Sequence, residues 1–220
     1  MQSSQYAVIG LGRFGSSLAL ELVRQGFEVL GVDRNEDVVE DMQDQLTHTV
    51  VADSTDEDVL RSIGIRNVDC AIVAIGDDIQ ASILTAILLK DIGVKKVVAK
   101  ALSVLHGKVL ERIGVDRVIF PERDMGIRVA HQLISPVLLD YLEISKDYTI
   151  AELSVPACWF GLTLKDLDPR TKYGCSVVAI NKEEGMIIAP AGNDVLEKDD
   201  IMIVIGTNEQ IERLEEVISE

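Results

Sequence analysis

The chain has 220 residues, and its 37 acidic side chains against 21 basic ones give a formal net charge of -16. Nucleic acids and anionic membrane surfaces bind basic surfaces, so this charge argues against both as direct partners. Three widely spaced cysteines without a C-x-x-C motif (Cys70, Cys158 and Cys175) indicate neither a zinc site nor a disulfide framework, and they fit a reducing cytoplasm. The N-terminus has no basic segment, and no apolar run approaches the roughly 20 residues of a membrane span, so neither a signal peptide nor a spanning helix is predicted.

The first predicted strand leads into a turn typical of nucleotide-binding βαβ units. Its sequence is QYAVIGLGRFG, over residues 5–15. In the G-x-G-x-x-G pattern, Gly10 allows the tight turn, Gly12 lets a pyrophosphate approach the backbone, and Gly15 lets the next helix pack on the strand. That helix, predicted from Phe14, would point its N–H groups at the phosphates.

Two charged positions extend this pattern. The second strand, predicted over residues 28–32, is followed by Asp33. An acid there accepts ribose hydroxyls and repels a 2′-phosphate, which favours NAD or an adenosine di- or triphosphate over NADP; the next residue, Arg34, leaves this preference open. Arg13, inside the glycine turn, can donate paired hydrogen bonds to a terminal phosphate. The alternative for Arg13 is a solvated arginine in the first helical turn.

Strands and helices alternate up to residue 120. The pattern predicts helices over residues 14–25, 36–46, 56–63, 79–91 and 104–113, and further strands over 49–52, 70–75, 96–100 and 117–120. Short loops between alternating elements predict an α/β fold with a Rossmann-type, doubly wound parallel sheet. Ligands of such sheets lie at the carboxyl ends of the strands. The candidate residues at or just beyond those ends are Gly10, Asp33, Asp53, Gly76, Lys100 and Glu122.

After residue 121 the pattern changes. A helix is predicted over residues 122–135, broken by Pro136, and a second short helix over 137–142. Short strands follow at 149–155, 176–181, 186–189 and 201–206, with helices at 163–167 and 210–218 and a hairpin turn at Glu183-Glu184-Gly185. We therefore predict a nucleotide-binding domain over residues 1–122, a helical crossover that forms dimers over 123–143, and a small α+β domain over 144–220. The helix predicted over 122–135 has more apolar residues than one buried helix face needs. This surplus favours dimers, which would assemble into a larger ring.

The sequence offers no catalytic machinery that we can identify. It contains no G-x-S-x-G, H-E-x-x-H or Walker A motif, and His48, His106 and His131 lie outside any motif, as surface or interface residues. We predict a protein that is not an enzyme. The alternative is a small NAD(H)-dependent redox sensor or oxidoreductase. Considered by itself, Glu122 is interpreted as a helix-capping acid. A carboxylate near phosphates would repel them unless a cation lay between the two groups.

Five segments together carry a family resemblance. YAVIGLGRFG, VVADSTDEDVLRSIGIRN, AIVAIGDDIQASILTAILLK, KVLERIGVDRVIFPERDMG and TKYGCSVVAI resemble the cytosolic regulatory subunits of Ktr and Trk potassium uptake systems. These belong to the regulator of potassium conductance (RCK) family, with TrkA-N and TrkA-C domains. The resemblance implies an octameric ring of cytoplasmic subunits, held peripherally at the inner face of the membrane by a potassium-translocating subunit. It also implies that ATP and ADP favour different ring shapes.

The resemblance further implies roles for particular residues. Arg13 would meet the terminal phosphate of ATP, and Glu122 would help hold a cation (Mg, Ca or Na) near the phosphates. Asp33 would hold the ribose, Asp53 and Ser54 the adenosine end, and Lys100 the phosphate or ribose region.

Some relatives bind cyclic di-AMP in the C-terminal domain. By rough alignment the candidate lining here is Arg170, Ser176, Val177 and Pro190. The alternative is that these four residues form only the core and rim of a dimer.

Overall fold

The computed structural model describes residues 4–134 and 138–219. The chain divides into two compact units, Met1–Glu122 and Arg123–Glu220. Within the described residues, every helix is too short or too polar to cross a membrane.

The first unit is built on six parallel strands in the order β3-β2-β1-β4-β5-β6. The strands are β1 (Gln5–Ile9), β2 (Glu28–Asp33), β3 (His48–Val51), β4 (Cys70–Val73), β5 (Val97–Lys100) and β6 (Arg117–Ile119). The chain runs outward from β1 to β3 and then returns to the other side of β1 with β4, so the order reverses between β1 and β4. Ligands of open α/β sheets bind at this reversal, outside the carboxyl ends of the strands. The predicted doubly wound sheet is confirmed.

Helices cover both faces of this sheet. They are α1 (Arg13–Arg24), α2 (Glu36–Met42), α3 (Glu57–Ser62), α4 (Ile79–Ile92) and α5 (Val104–Ile113), with a 3-10 turn at Ile65–Asn67. Ala7 and Ile9 of β1 pack in one core with residues of α3, α4 and α5, whereas Val8 packs in a second core with α1 and α2. The central strand β4 (CAIV) is buried along its whole length, and its sequence is accordingly continuously apolar. Helix α2 is shorter than the predicted 36–46.

The second unit carries an antiparallel sheet. Helix α6 (Pro121–Ile134) leads into it from the last residues of the first unit. Its strands, in the order β10-β9-β11-β8-β7, are β7 (Leu138–Glu143), β8 (Tyr148–Ser154), β9 (Ser176–Lys182), β10 (Gly185–Ile188) and β11 (Ile201–Thr207). Short helices α7 (Leu164–Leu167) and α8 (Pro169–Lys172), a 3-10 turn at Ala157–Trp159 and the longer α9 (Asn208–Ser219) complete the unit. The predicted hairpin is confirmed, since β9 and β10 pair antiparallel next to Gly185.

One predicted helix is wrong. The sequence prediction of a helix over 137–142 falls largely on β7, which pairs with β8 so that Tyr141 faces Ala151 and Leu142 faces Ile150. The segment 123–143, predicted to be helical, is therefore helical only up to Ile134 among its described residues. Local propensity in this leucine-rich stretch is overridden by a partner strand that lies later in the chain. The break predicted at Pro136 lies outside the described residues.

Candidate nucleotide-binding site

A cavity of about 920 Å³ opens at the carboxyl ends of the parallel strands. Its volume is within the range of small-molecule sites, roughly 300 to 1,000 Å³. The structure brings together every N-terminal site residue predicted from the sequence except Gly15. The lining includes Gly10, Gly12, Arg13, Phe14, Asp33, Arg34, Asp53, Ser54, Gly76, Lys100 and Glu122.

The glycine turn, residues 10–15, lines this cavity through Gly10 and Gly12. Gly10 has φ of +91°, which disfavours a side chain, and its N–H donates to the carbonyl of Val32 at 2.8 Å. A Cβ on Gly15 would lie 1.8 Å from the carbonyl oxygen of Gly10, so Gly15 supports the turn from behind and does not line the cavity. A Cβ on Gly12 would meet nothing within 4 Å. The space at Gly12 is therefore open to a ligand at the start of α1.

One end of the cavity carries two cations and a carboxylate. The side chain of Lys100 is only 8% exposed, and its Nζ donates to Oε1 of Glu122 at 2.5 Å. The same Nζ lies 5.8 Å from the ring centroid of Phe14 and 3.2 Å from the position of a Cβ on Gly76. The Lys100 hydrogen bond lowers the pKa of Glu122, and the charge of Arg13 adds to the shift. We call this region, next to the glycine turn, the phosphate end.

The other end, which we call the ribose end, presents fixed carboxylates. Asp33 accepts a hydrogen bond from the N–H of Leu11 at 2.6 Å through Oδ2 and one from Asn35 at 2.9 Å through Oδ1. Each oxygen keeps a further lone pair for a ribose hydroxyl. Asp53 accepts from the hydroxyl of Thr55 at 2.7 Å and from its N–H at 2.9 Å, and these bonds lower the pKa of Asp53.

Ser54 differs from its neighbours, because its hydroxyl is used inside the fold. It lies 2.8 Å from the hydroxyl of Thr85, which also donates to the carbonyl of Ser54, and Ser54 is only 7% exposed. Sequence reasoning missed further lining residues in the same loops, among them Asn35, Thr55, Asp77 and Asp78. Their position next to the predicted site residues Asp33, Ser54 and Gly76 is the one sequence feature that could have indicated them.

The metal prediction concerned Glu122. Among the described residues, no group of three or more His, Cys, Asp or Glu side chains could hold a metal ion. A divalent cation takes about six or more oxygen ligands, so one carboxylate already paired with Lys100 supplies only a small part of that shell. A cation here would depend on nucleotide phosphates and water for the rest.

The second set of predicted ligand residues lies in the C-terminal unit. Ser176 and Val177 are half-buried at the start of β9, and Pro190 follows β10, where the N–H of Ala189 donates to the carbonyl of Val178 at 2.9 Å. Arg170 is exposed in α8, which precedes β9.

The histidines divide between surface and core. His48 is exposed on β3, whereas His106 in α5 is 3% exposed, and its Nδ1 accepts from the N–H of Leu102 at 3.3 Å. His106 was predicted at the surface or an interface, and in this chain it is buried; burial lowers its pKa. The side chain of His131 is outside the described set.

Comparison with known proteins identifies the family. The TrkA-N domain family matches residues 6–121, and the TrkA-C domain family matches residues 149–219. Ktr system potassium uptake protein C of Bacillus subtilis (strain 168) is 46% identical over 211 residues, covering 96% of this chain and 96% of that protein. Ktr system potassium uptake protein A of the same organism is 43% identical over 215 residues, covering 98% of this chain and 97% of that protein.

Solved structures show the same fold. A structure described as the GsuK channel bound to NAD superposes with a TM-score of 0.68 at 19% identity, covering 100% of this chain and 40% of that one. A structure of GsuK bound to ADP gives 0.51 at 17% identity over 57% of this chain and 33% of that one. The parallel sheet with its glycine turn, the antiparallel sheet that follows and the near full-length similarity agree: the chain belongs to the family of Ktr potassium uptake regulatory subunits, with a TrkA-N and a TrkA-C domain.

Proposed function

We propose that this chain is a nucleotide-sensing gating subunit, which binds ATP or ADP in the 920 Å³ cavity and regulates a potassium-translocating membrane subunit. The observation that carries the proposal is the division of charge within the cavity. Arg13 and the buried Lys100 lie at one end and the fixed carboxylate of Asp33 at the other. That arrangement suits a ligand with phosphates at one end and a ribose at the other.

Discrimination between ATP and ADP must come from the terminal phosphate, because the two nucleotides share their other groups. A ligand shifts a two-state equilibrium only through its differential affinity for the two states. Arg13 is an exposed guanidinium on the glycine turn, close enough to Glu122 to lower its pKa. Arg13 is therefore our candidate for reading the γ-phosphate, as in family members that the sequence resembles.

Lys100 and Glu122 couple the phosphates to a cation. In the structure the two side chains satisfy one another at 2.5 Å. A phosphate at this end gives the Lys100 ammonium a second anionic partner, and it adds oxygen ligands next to the Glu122 carboxylate. Glu122 would help to hold a divalent cation or Na near the phosphates, and the positive charge would offset the repulsion between the carboxylate and the phosphates.

Assembly is part of the proposal. Helix α6 exposes five large apolar side chains. They are Met125, Ile127, Val129, Leu133 and Ile134, of which the last two are 80% and 81% exposed. A helix that stays in contact with water carries fewer of them, so this surface is expected to be covered by a partner. We propose that α6 joins two copies and that the dimers build an octameric ring in the cytoplasm, beneath the membrane subunit. Cyclic di-AMP is our candidate second ligand at Arg170, Ser176, Val177 and Pro190.

A second candidate ligand is NAD or NADH, which would make the chain a redox sensor. The observation that favours it is that a structure with the same fold is the GsuK channel bound to NAD. The ribose end of the cavity suits either ligand, because both carry an adenosine. The two candidates differ at the phosphate end, where a dinucleotide has no terminal phosphate for Arg13.

The test combines binding and shape. Calorimetry of the full chain with ATP, ADP, NAD, NADH and cyclic di-AMP ranks the ligands. Scattering or crosslinking of the assembly, with potassium flux through the reconstituted membrane subunit, then compares ATP with ADP. We expect Arg13→Ala to keep ADP affinity within a few-fold and to lose the response to ATP, since a charged hydrogen bond of about 1.5 to 3 kcal/mol corresponds to roughly ten- to a hundredfold in the equilibrium.

Arg24→Gln is the matched control. It removes the same charge from the other end of α1, where Arg24 pairs with Glu21 at the surface. We expect this variant to respond to ATP as the wild type does. If Arg13→Ala also switches normally, another group reads the γ-phosphate. If NAD or NADH binds and neither ATP nor ADP does, the redox sensor replaces our proposal.

A further inference from the structure

At the ribose end of the cavity, two ion pairs connect the loop after β2 with the loop after β4. Arg34 follows β2, while Asp77 and Asp78 follow β4, and β1 with its glycine turn lies between these strands. The guanidinium of Arg34 lies 4.0 Å from a carboxylate oxygen of Asp77 and 3.8 Å from one of Asp78. The side chain of Arg34 therefore extends past the end of β1, toward the loop after β4.

Arg34 matters because of where it stands in the motif. In dinucleotide sites of this fold, an acid after the second strand binds the ribose 2′-hydroxyl, whereas an arginine nearby accommodates a 2′-phosphate. This chain has both residues in succession, Asp33 and Arg34, so the sequence leaves the choice open. The orientation of the Arg34 side chain decides which of the two a ligand meets.

Acidic side chains outnumber basic ones around Arg34. Of the described residues that line the cavity, three are basic, and two of these, Arg13 and Lys100, lie at the phosphate end. At the ribose end, Arg34 is the one basic residue among the described lining residues, against four acidic ones: Asp33, Asp53, Asp77 and Asp78. Hydrogen bonds to backbone N–H groups hold Asp33 and Asp53 in place. A 2′-phosphate, with about 1.5 to 2 negative charges, would enter a field of carboxylates.

We propose that Asp77 and Asp78 determine ligand specificity by engaging Arg34, so that the cavity accepts adenine nucleotides with a free 2′-hydroxyl and rejects those with a 2′-phosphate. The inference rests on the proposed nucleotide binding. Arg34 and Asp77 are 66% and 83% exposed, so each ion pair alone is weak. The two pairs act together with the repulsion from the same carboxylates, and both effects favour the unphosphorylated ribose.

The test frees Arg34 without removing it. In the double variant Asp77→Asn/Asp78→Asn, both side chains keep their size, and asparagine at position 78 can still cap α4, where Asp78 now accepts from the N–H of Ala81 at 2.9 Å. Calorimetry compares two ligand pairs that differ only in the 2′-phosphate: NAD with NADP, and AMP with adenosine 2′,5′-bisphosphate. We expect the wild type to prefer the unphosphorylated member of each pair by about tenfold or more.

In the double variant we expect this preference to fall about tenfold, mainly because the 2′-phosphorylated ligand binds more tightly. Adding Arg34→Gln to the double variant should remove most of that gain, since the freed guanidinium binds the 2′-phosphate, and the part that remains reports the repulsion lost with the two carboxylates. Glu183→Gln/Glu184→Gln is the control. It makes the same change in net charge at two exposed acids in the hairpin turn of the second unit, and it should leave the preference unchanged.

Three results would overturn the inference: a wild type that binds both members of a pair equally, a double variant that discriminates as the wild type does, or a gain that persists in full after Arg34→Gln. Failure of the proposed function looks different. If NAD binds and ATP and ADP do not, the proposed function fails and the comparison of NAD with NADP still tests the inference. If ATP, ADP, AMP and NAD all fail to bind the wild type, both proposals fall together.

Discussion

The phosphate end and the ribose end of the cavity are built in different ways. At the phosphate end, besides the exposed Arg13 and Glu122, the determinants are backbone and buried: a Cβ on Gly15 would collide with a carbonyl oxygen 1.8 Å away, and Lys100 is 8% exposed. At the ribose end they are exposed side chains, such as Arg34 and Asp77, which are 66% and 83% exposed. A close-packed site transmits small changes into the fold, whereas exposed charges can be exchanged at low cost. The glycine turn and Lys100 thus make the phosphate end rigid, whereas the charges around Arg34 make the ribose end adjustable.

The largest effect is expected from breaking the rigid end with Gly15→Ala. The added methyl group meets the backbone oxygen of Gly10 and not a flexible side chain, so the turn itself must move. Overpacking of this kind costs about 1 to 3 kcal/mol or more, and it displaces the phosphate-binding N–H groups. We expect a lower melting temperature and loss of measurable ADP and ATP binding, by thermal unfolding and calorimetry.

Gly12→Ala is the matched control for that variant. A Cβ at Gly12 meets nothing within 4 Å, and its φ of -64° is ordinary for any residue. The melting temperature should therefore stay at the wild-type value, while nucleotide affinity falls because the methyl group enters the open space at the start of α1. Equal melting temperatures for the two variants would contradict the view that Gly15 supports the turn.

An intermediate effect is expected from Asp33→Ala, which connects the two ends. Its carboxylate accepts from Leu11 of the glycine turn and from Asn35, so alanine removes the ribose acceptor and leaves both N–H groups without it. A charge-assisted hydrogen bond is worth about 1.5 to 3 kcal/mol, or roughly ten- to a hundredfold in affinity for ATP, ADP and NAD alike. Asp33→Asn, which retains one acceptor oxygen, should lose less. Wild-type affinities in Asp33→Ala would place the ribose elsewhere.

The glycine turn and the parallel sheet could be predicted from the sequence, because their determinants are local. The spacing of Gly10, Gly12 and Gly15, the apolar strands and the acids that follow them all lie within short segments. The Lys100–Glu122 pair joins residues 22 positions apart on separate elements, so no local pattern reveals it. The prediction of a helix at β7 fails for another reason: the leucines of this stretch suit a helix as well as a strand, and only the pairing with β8 decides between them.

The directions of individual side chains also cannot be predicted from the sequence. Ser54 was expected to meet the adenosine by resemblance, yet its hydroxyl pairs with Thr85, which is 31 positions away on α4. The ion pairs of Arg34 with Asp77 and Asp78 likewise depend on how two loops face one another across β1. A sequence names the residues that follow each strand, but the packing of the helices decides which of them turn inward.

The smallest effect concerns Asp53, one of the fixed carboxylates at the ribose end. The Thr55 hydroxyl is the main cause of the lowered pKa of Asp53, followed by the Thr55 N–H. Thr55→Val removes the hydroxyl and keeps the N–H, so the pKa of Asp53 should rise toward its ordinary value. Carbon-13 NMR of the carboxyl group measures this shift.

The sign of the stability effect follows from the same bond. A lowered folded-state pKa stabilises the fold above the unfolded-state pKa, and that contribution is lost as the pH falls through the folded-state value. Thr55→Val should therefore be slightly less stable than the wild type near neutral pH, and the two proteins should converge in acid. ATP affinity at neutral pH should not change, because Asp53 stays ionised in both. A clear loss of affinity in Thr55→Val would mean that the Thr55 hydroxyl itself contacts the nucleotide.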